Sequence, residues 1–369
     1  MNPDSELRKT DWPEGVGMIY LAMSPWEGMW KNRHQLMSRF AQAMPVMYVE
    51  PWVRLRRLRR DGLRALSDQA DKAAERVVQK APGLLVYKSP RSRPVSGSRY
   101  LEKVTANHWL RGVRSAAEEA GITRPILWLS LPEMHFAVGK MNELLSIYHV
   151  VDEYGGYARQ STENIRRLQG HERKMLESVD LSIVVSPELA KAKSTYGNNI
   201  HIVENAVDFE AFSEATTNGQ IPDDVRSVPH PRLGYSGLIG QRLDLDLMIR
   251  IAREKPEWSL VLVGKVDETD CADRLSVLRS LPNVYFLGEK TIDEVPGYVA
   301  AFDIGLLPYT LNLETKNISP LKMYEYFAVG IPVVSTPIPS ALRHQDVVNI
   351  ADTGDAFINA CGTSLASHN

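Results

Sequence analysis

Apolar residues gather along this chain in short runs, separated by longer amphipathic stretches. In the first half the runs fall at 16–22, 46–50, 84–87, 126–129, 146–151, 180–186 and 200–203. Short runs rich in β-branched residues predict strands buried in a parallel sheet. Between them, apolar positions recur every three or four residues, as Leu36, Met37, Phe40 and Ala41 do within 31–43. That spacing predicts helices lying on the sheet. Others fall at 100–120, 158–179 and 187–196, with an irregular helix over 132–145. The second half repeats the alternation. Its strands fall at 232–236, 260–263, 283–288, 303–308, 333–334 and 347–350, and its helices at 244–253, 270–280, 292–302 and 355–360. Alternation throughout predicts an α/β fold of two doubly wound, Rossmann-like domains facing across a cleft. Residues 209–231 carry Gly, Pro, Asp and Thr without apolar period and predict a linker. The first domain is therefore predicted over 1–208 and the second over 232–369.

One stretch, NISPLKMYEYFAVGIPVVSTPIP at 317–339, combines a helix with chemistry. Ser319 suits an N-cap, because its hydroxyl can accept from a first-turn N–H. Pro320 suits the first helical position, Gly330 the left-handed end, and Pro332 the stop. Val333 and Val334 follow as a buried strand. The helix thus begins at the carboxyl edge of a sheet, where open α/β sheets bind ligands. Lys322 lies in its first turn and Glu325 three residues on, so they share a face. A helix amino end carries roughly half a positive charge and free N–H groups, which suits phosphate. Lys322 adds a full charge there, and Glu325 can accept from the two hydroxyls of a ribose. The same spacing also fits a plain surface ion pair.

Asp152 follows the run at 146–151 and precedes Gly155-Gly156. At a carboxyl sheet edge it can act as a base or cap a helix starting near residue 157. Trp26 and Trp30 follow the first strand and either line a pocket or pack their loop. Gly237 opens a loop in which backbone N–H groups can approach a phosphate. Lys265 follows the 260–263 strand at the same edge.

SPLKMYEYFAVGIPVVST resembles the donor-binding signature of GT-B glycosyltransferases of the bacterial polysaccharide and cell-envelope type, P-x-K-x-x-E-Y-x-A-x-G-x-P-V-V. The resemblance implies that Glu325 binds the donor ribose and that basic residues hold the pyrophosphate. Many retaining members carry a second Glu eight residues earlier, where this chain has Asn317. YHVVDEY resembles the strand whose terminal Asp faces the cleft, which implies Asp152 as general base in inverting transfer. YSGLIGQR resembles the Y-x-G-x-I loop, which makes Arg242 the candidate for the pyrophosphate alongside Gly237. ENAVDFEAF resembles P-N-G-V-D-x-x-x-F, with Glu204 for Pro and Ala206 for Gly, and NVYFLG resembles the strand that reaches the nucleobase. Tyr309 then falls in a loop near the sugar. Trp26, Trp30 and Glu153 are the acceptor-side candidates. The helix with which such proteins cross back onto the first domain is not found near the end of the sequence.

Composition narrows the classes. The 369 residues suffice for two domains, and a net charge of −2 argues against a general nucleic-acid partner. Cys271 and Cys361 lie far apart and form no metal or redox motif. Asp244-Leu245-Asp246 looks like a D-x-D metal motif, but two acids two apart on a helix face different ways, so no metal and no cofactor are expected. The polar first residues do not suit a signal peptide, and no apolar run approaches the ~20 residues of a membrane span. Arg54, Arg56, Arg57, Arg59, Arg60 and Arg64 interleave with Val53, Leu55, Leu58, Leu63 and Leu66. Such a segment suits an anionic membrane surface or a solvated helix. The expected place is the cytoplasm, with the inner membrane face as partner. A nicotinamide enzyme is rejected, because Gly15 and Gly17 precede the first strand instead of following it. The expected activity is a hexosyltransferase-like transfer from a nucleotide-sugar to a saccharide or lipid-linked acceptor. An epimerase of the same fold or a non-catalytic binding protein is the alternative.

Overall fold

The computed structural model of the chain describes residues 12–28, 30–51, 76–89, 99–153, 161–219, 221–312 and 315–368. The arginine-rich stretch at 54–64 lies outside them. The chain divides into two compact units. The first takes Met1–Val151, Gln160–Val184 and Ala190–Ile202; the second takes Asp152–Arg159, Val185–Leu189 and Val203–Asn369.

The first unit is built on eight strands: β1 (Val16–Leu21), β2 (Val46–Val49), β3 (Val77–Ala81), β4 (Leu84–Tyr87), β5 (Arg124–Leu129), β6 (Leu145–Val150), β7 (Leu181–Val184) and β8 (Ile200–Ile202). Their order is β3-β4-β2-β1-β5-β6-β7-β8. All neighbours pair in parallel except β3 and β4. The described helices in this part of the chain are α1 (Asn32–Ala43), α2 (Arg99–Glu119), α3 (Thr162–Ser178) and α4 (Pro187–Lys193). β3 was not legible in the sequence. It is an exposed edge strand whose residues give no apolar run. Gly83 turns it into β4 at φ +78°, where a Cβ would lie 2.4 Å from the Ala41 carbonyl oxygen. The predicted helix over 132–145 is only a 3-10 turn, Pro132–Ala137. α3 starts at Thr162, capped by the Ser161 hydroxyl, which accepts from the Asn164 N–H at 3.2 Å.

The second unit carries β9 (Arg232–Ser236), β10 (Ser259–Val263), β11 (Val284–Gly288), β12 (Ile304–Leu307), β13 (Val333–Ser335) and β14 (Val348–Ile350). They form an all-parallel sheet in the order β11-β10-β9-β12-β13-β14. Its helices are α5 (Phe209–Asn218), α6 (Asp223–Arg226), α7 (Leu245–Glu254), α8 (Ala272–Ser280), α9 (Val295–Val299), α10 (Leu321–Val329), α11 (Pro339–Leu342) and α12 (Gly354–His368). The strand order reverses between β9 and β12, and connections diverge there to leave a crevice at the carboxyl ends.

Two expectations need correction here. The predicted linker at 209–231 contains α5, capped by Asp208, and α6. Phe212, Val225 and Val228 bury into the core of the second unit. Three anchors spread over a polar stretch are too sparse to show a period. The last helix, predicted over 355–360, runs to His368, with Phe357, Ile358 and Cys361 buried. Its small residues after Cys361 weaken the apolar pattern without breaking the helix.

The centre of the second sheet has a bare patch. Gly234 and Gly305 are register partners on β9 and β12. A Cβ on Gly234 would lie 2.1 Å from the Phe302 ring, and one on Gly305 2.3 Å from the Tyr326 ring. The two rings lie edge to face, 6.5 Å apart. Tyr326 belongs to α10, so the bare patch sets how closely that helix approaches the sheet.

Candidate functional site

β9 ends at Ser236 and the chain turns at Gly237, with φ +129°. The Gly237 N–H donates to the Val263 carbonyl at 2.8 Å. Gly264, at φ +140°, packs so tightly on this turn that a Cβ there would lie 1.9 Å from the Gly237 carbonyl oxygen. Glycine at both positions therefore lets two strand-exit loops touch backbone to backbone. A Cβ on Gly237 would lie 3.0 Å from Lys322 Cε and 3.1 Å from Nζ, so the lysine ammonium rests against this turn.

Lys322 stands in the first turn of α10. Its Nζ donates to the Tyr309 hydroxyl at 3.2 Å and lies 5.1 Å from the Tyr235 ring centre and 5.8 Å from that of Tyr309. Burial works against its charge, but Tyr235, Tyr309, Tyr326 and Glu325 more than offset this, so the ammonium stays protonated. Glu325 is half-buried one turn further on, and its Oε2 accepts from the Ser236 hydroxyl at 3.2 Å. Burial raises its carboxyl pKa, while Lys322 and Ser236 hold it down. The Tyr326 hydroxyl accepts from the Ser236 N–H at 3.3 Å and so ties α10 to the end of β9.

Ser319 is not the cap of this helix. The cap position is Pro320 and no side chain takes up the first-turn N–H groups. The Ser319 hydroxyl is buried without a hydrogen-bond partner, and its carbonyl accepts from the Asn205 side chain at 2.8 Å. An uncapped amino end leaves N–H groups open for an anion, which strengthens the phosphate reading.

Arg242 and Asp152 meet in the second unit, Nη2 to Oδ2 at 3.6 Å. The Arg242 carbonyl accepts from the Thr310 N–H at 3.0 Å, so its loop is fixed to the residue after Tyr309. Asp152 Oδ1 accepts from the Glu153 N–H at 2.9 Å. Asp152 is no cap for α3, which uses Ser161. Lys265 is exposed, and its carbonyl accepts from the Ile239 N–H at 2.9 Å. Tyr309, expected near the sugar, is 5% exposed and turned to Lys322. Asp244 caps α7 by accepting from the Leu247 N–H at 2.9 Å, and Asp246 pairs with Arg274 at 2.8 Å, so both acids of the D-x-D are engaged in structure.

In the first unit Trp26 and Trp30 sit in an aromatic cluster at the carboxyl end of β1. Trp30 stacks on His34 at 5.1 Å, and Trp26 meets Tyr48 edge-on at 5.0 Å. Arg33 Nε donates to the Tyr48 hydroxyl at 3.2 Å. Trp26 is half-buried and Trp30 is exposed, so packing accounts for Trp26 and leaves a Trp30 surface open.

Residues 232–367 match the family model described as Glycosyl transferases group 1. A protein of Bacillus subtilis (strain 168) named as a teichuronic acid biosynthesis glycosyltransferase, TuaH, is 34% identical over 189 residues. That match takes in 47% of this chain, and the chain spans less than half, 46%, of the length of that curated relative. Sucrose-phosphate synthase from Thermosynechococcus elongatus is similar in structure, with a TM-score of 0.67 over 96% of this chain and 90% of its own at 14% identity. HepE from Anabaena, solved in complex with UDP and glucose, has a TM-score of 0.59 over 96% of this chain and 95% of its own, also at 14% identity.

The fold is GT-B.

Within this GT-B chain, the part that is similar to the group 1 model holds Gly237, Arg242, Lys265, Tyr309, Lys322 and Glu325 on the carboxyl side of one sheet. Three contributors were missed in the sequence. Ser236 had a signal, since a hydroxyl at the last strand position before a glycine turn faces the sheet edge. Tyr235 and Asn205 stand in the quoted motifs YSGLIGQR and ENAVDFEAF, but their contacts are with residues far along the chain and could not be read there.

Proposed function

We propose that this GT-B protein is a glycosyltransferase of envelope glycan assembly. It moves a sugar from a nucleoside-diphosphate donor to a hydroxyl of a saccharide or lipid-linked acceptor. The observation that carries this reading is the uncapped amino end of α10 with Lys322 at its mouth and Glu325 one turn behind. The group 1 match, the name of the Bacillus relative and the UDP and glucose in HepE support it.

In this reading the diphosphate lies between the Gly237 turn and the α10 amino end, and Glu325 accepts from the ribose diol. The acceptor oxygen attacks the anomeric carbon as the bond from that carbon to the diphosphate breaks. The hydroxyl proton passes to Asp152 and the electron pair leaves with the diphosphate. Lys322, the helix end and Arg242 stabilise the charge that develops there, which is electrostatic catalysis needing no resident metal. Asn317 in place of a second Glu favours the inverting course. Arg242 has two partners in turn, Asp152 before donor binding and the diphosphate after it. The exposed part of Trp30, beside Trp26, offers an acceptor surface in the first unit, and Glu153 is a separate acceptor-side candidate in the second. The arginine and leucine alternation at 54–64 suits an anionic membrane, which supports a place in the cytoplasm against the inner membrane face.

A melting-temperature screen against UDP, GDP, ADP and dTDP and their sugars tests the reading. At least one should stabilise the protein, and the matching nucleotide-sugar should yield transfer with a suitable acceptor. Asp152→Asn should keep the stabilisation and lose about a hundredfold or more in transfer. A screen in which none of the four nucleotides binds would overturn the proposal.

A further inference from the structure

Lys322 and Glu325 lie one turn apart on α10, and opposite charges at that spacing normally pair. Here they do not. Lys322 donates to the Tyr309 hydroxyl at 3.2 Å, and Glu325 accepts from the Ser236 hydroxyl at 3.2 Å. The ammonium is thus drawn to one side and the carboxylate to the other. Three walls define the lysine's place: the Tyr309 hydroxyl and ring, the Tyr235 ring, and the Gly237 backbone.

Each wall is itself fixed. Tyr235 and Tyr309 are 2% and 5% exposed. The Tyr235 hydroxyl donates to the Leu238 carbonyl at 3.2 Å, which pins the turn after Gly237. The Tyr309 carbonyl accepts from the Thr336 hydroxyl at 2.9 Å, and its N–H donates to the Leu307 carbonyl at 3.0 Å. Leu243 bridges Tyr309 in antiparallel fashion, and Thr310 holds the Arg242 carbonyl. One short loop after β12 therefore governs two of the candidate cations of the site, Lys322 and Arg242.

We propose that Tyr309 is a positioning residue that acts through Lys322, with the Tyr235 ring as the second wall of its seat. It keeps the ammonium off Glu325 and aimed at the diphosphate position before any ligand arrives. This rests on the donor-site reading above. A lysine stem has several rotatable bonds, so a free ammonium must be ordered when the anion binds, and ordering it beforehand removes that cost. It also keeps Glu325 available to a diol, because a Lys322–Glu325 pair would occupy both groups at once.

The test is a double-mutant cycle on the intact protein with Tyr309→Phe and Lys322→Ala. The probe is whichever of UDP, GDP, ADP and dTDP binds wild type best, titrated to millimolar concentration so that weakened complexes stay measurable. Phenylalanine keeps the ring and its packing, so the melting temperature without ligand should stay near that of wild type. In the wild-type background Tyr309→Phe should weaken binding about tenfold, the worth of one hydrogen bond near a charge. In the Lys322→Ala background it should change binding less than twofold, since its target is gone. An equal loss in both backgrounds, or no loss in either, overturns the positioning role and leaves the donor site standing. Failure of all four nucleotides on wild type removes the donor site and this inference together.

Discussion

His34 receives the Lys31 N–H on Nδ1 at 2.9 Å, which leaves Nε2 to donate to the Trp26 carbonyl at 3.1 Å. Both ring nitrogens are satisfied only in the neutral form. Burial, helped by the charge of Arg33, lowers its pKa to about 4. Burial alone does the same for His149 on β6, to about 4, and burial with His171 for His135, to about 4. In an unfolded chain each would titrate near 6.5. Between those values the unfolded chain binds protons that the folded one refuses. The stability tied to these three groups is therefore fully present above about pH 6.5 and is lost as pH drops from there towards 4. His149 alone contributes about 3 kcal/mol to that loss once the window is crossed. Urea midpoints at pH 7.5, 6 and 5 should fall in that order, and an unchanged midpoint at pH 5 would contradict it. At this scale the sequence spoke through spacing. Lys322 and Glu325 share a face as i and i+3 require, but it took folded contacts to show that the Tyr309 hydroxyl, not Glu325, takes the Lys322 ammonium. The Ser319 cap was misread because Pro320 takes the cap position and leaves the helix end open.

Among elements, α10 depends most on its bed. Tyr326 is fully buried over Gly305, and its hydroxyl meets the Ser236 N–H. Gly305→Ala would push a methyl to within 2.3 Å of that ring, so the helix must lift. Overpacking of this kind costs about 1–3 kcal/mol. The lift also carries Lys322 and Glu325 away from Gly237 and Ser236. The variant should melt lower and bind the nucleoside diphosphate at least tenfold more weakly. A variant that melts lower yet binds as wild type would mean that the helix repacks without moving its polar face. Strands buried on both faces were legible because nothing polar interrupts them, as in β1 and β10. β3 and α5 were not, because an exposed edge strand and a helix anchored by one buried Phe212 carry little periodic signal.

For the whole molecule, two doubly wound sheets could be read from alternation alone, since each run and helix adds one more unit of the same handedness. The way the chain is shared between the units could not. Asp152–Arg159 and Val185–Leu189 precede Val203 in the chain and yet belong to the second unit. Glu188 meets Arg343 at 2.8 Å across 155 residues of sequence. A fragment beginning at Val203 would keep Gly237, Arg242, Lys322 and Glu325 but lack Asp152 and Glu188. Nucleotide titration should still detect binding by such a fragment, while a transfer assay should show no product. Transfer by the fragment would remove Asp152 from the mechanism.

The 3.6 Å approach of Asp152 to Arg242 also bears on how such proteins can be recombined. Any chimera with one seam between positions 152 and 242 takes the carboxylate from one parent and the guanidinium from the other. Parents that differ in either partner would give hybrids with a mismatched charge at the proposed reaction centre, however well the rest of each half is preserved. Two seams, set so that the short segment at Asp152–Arg159 travels with the later half, would keep the couple intact.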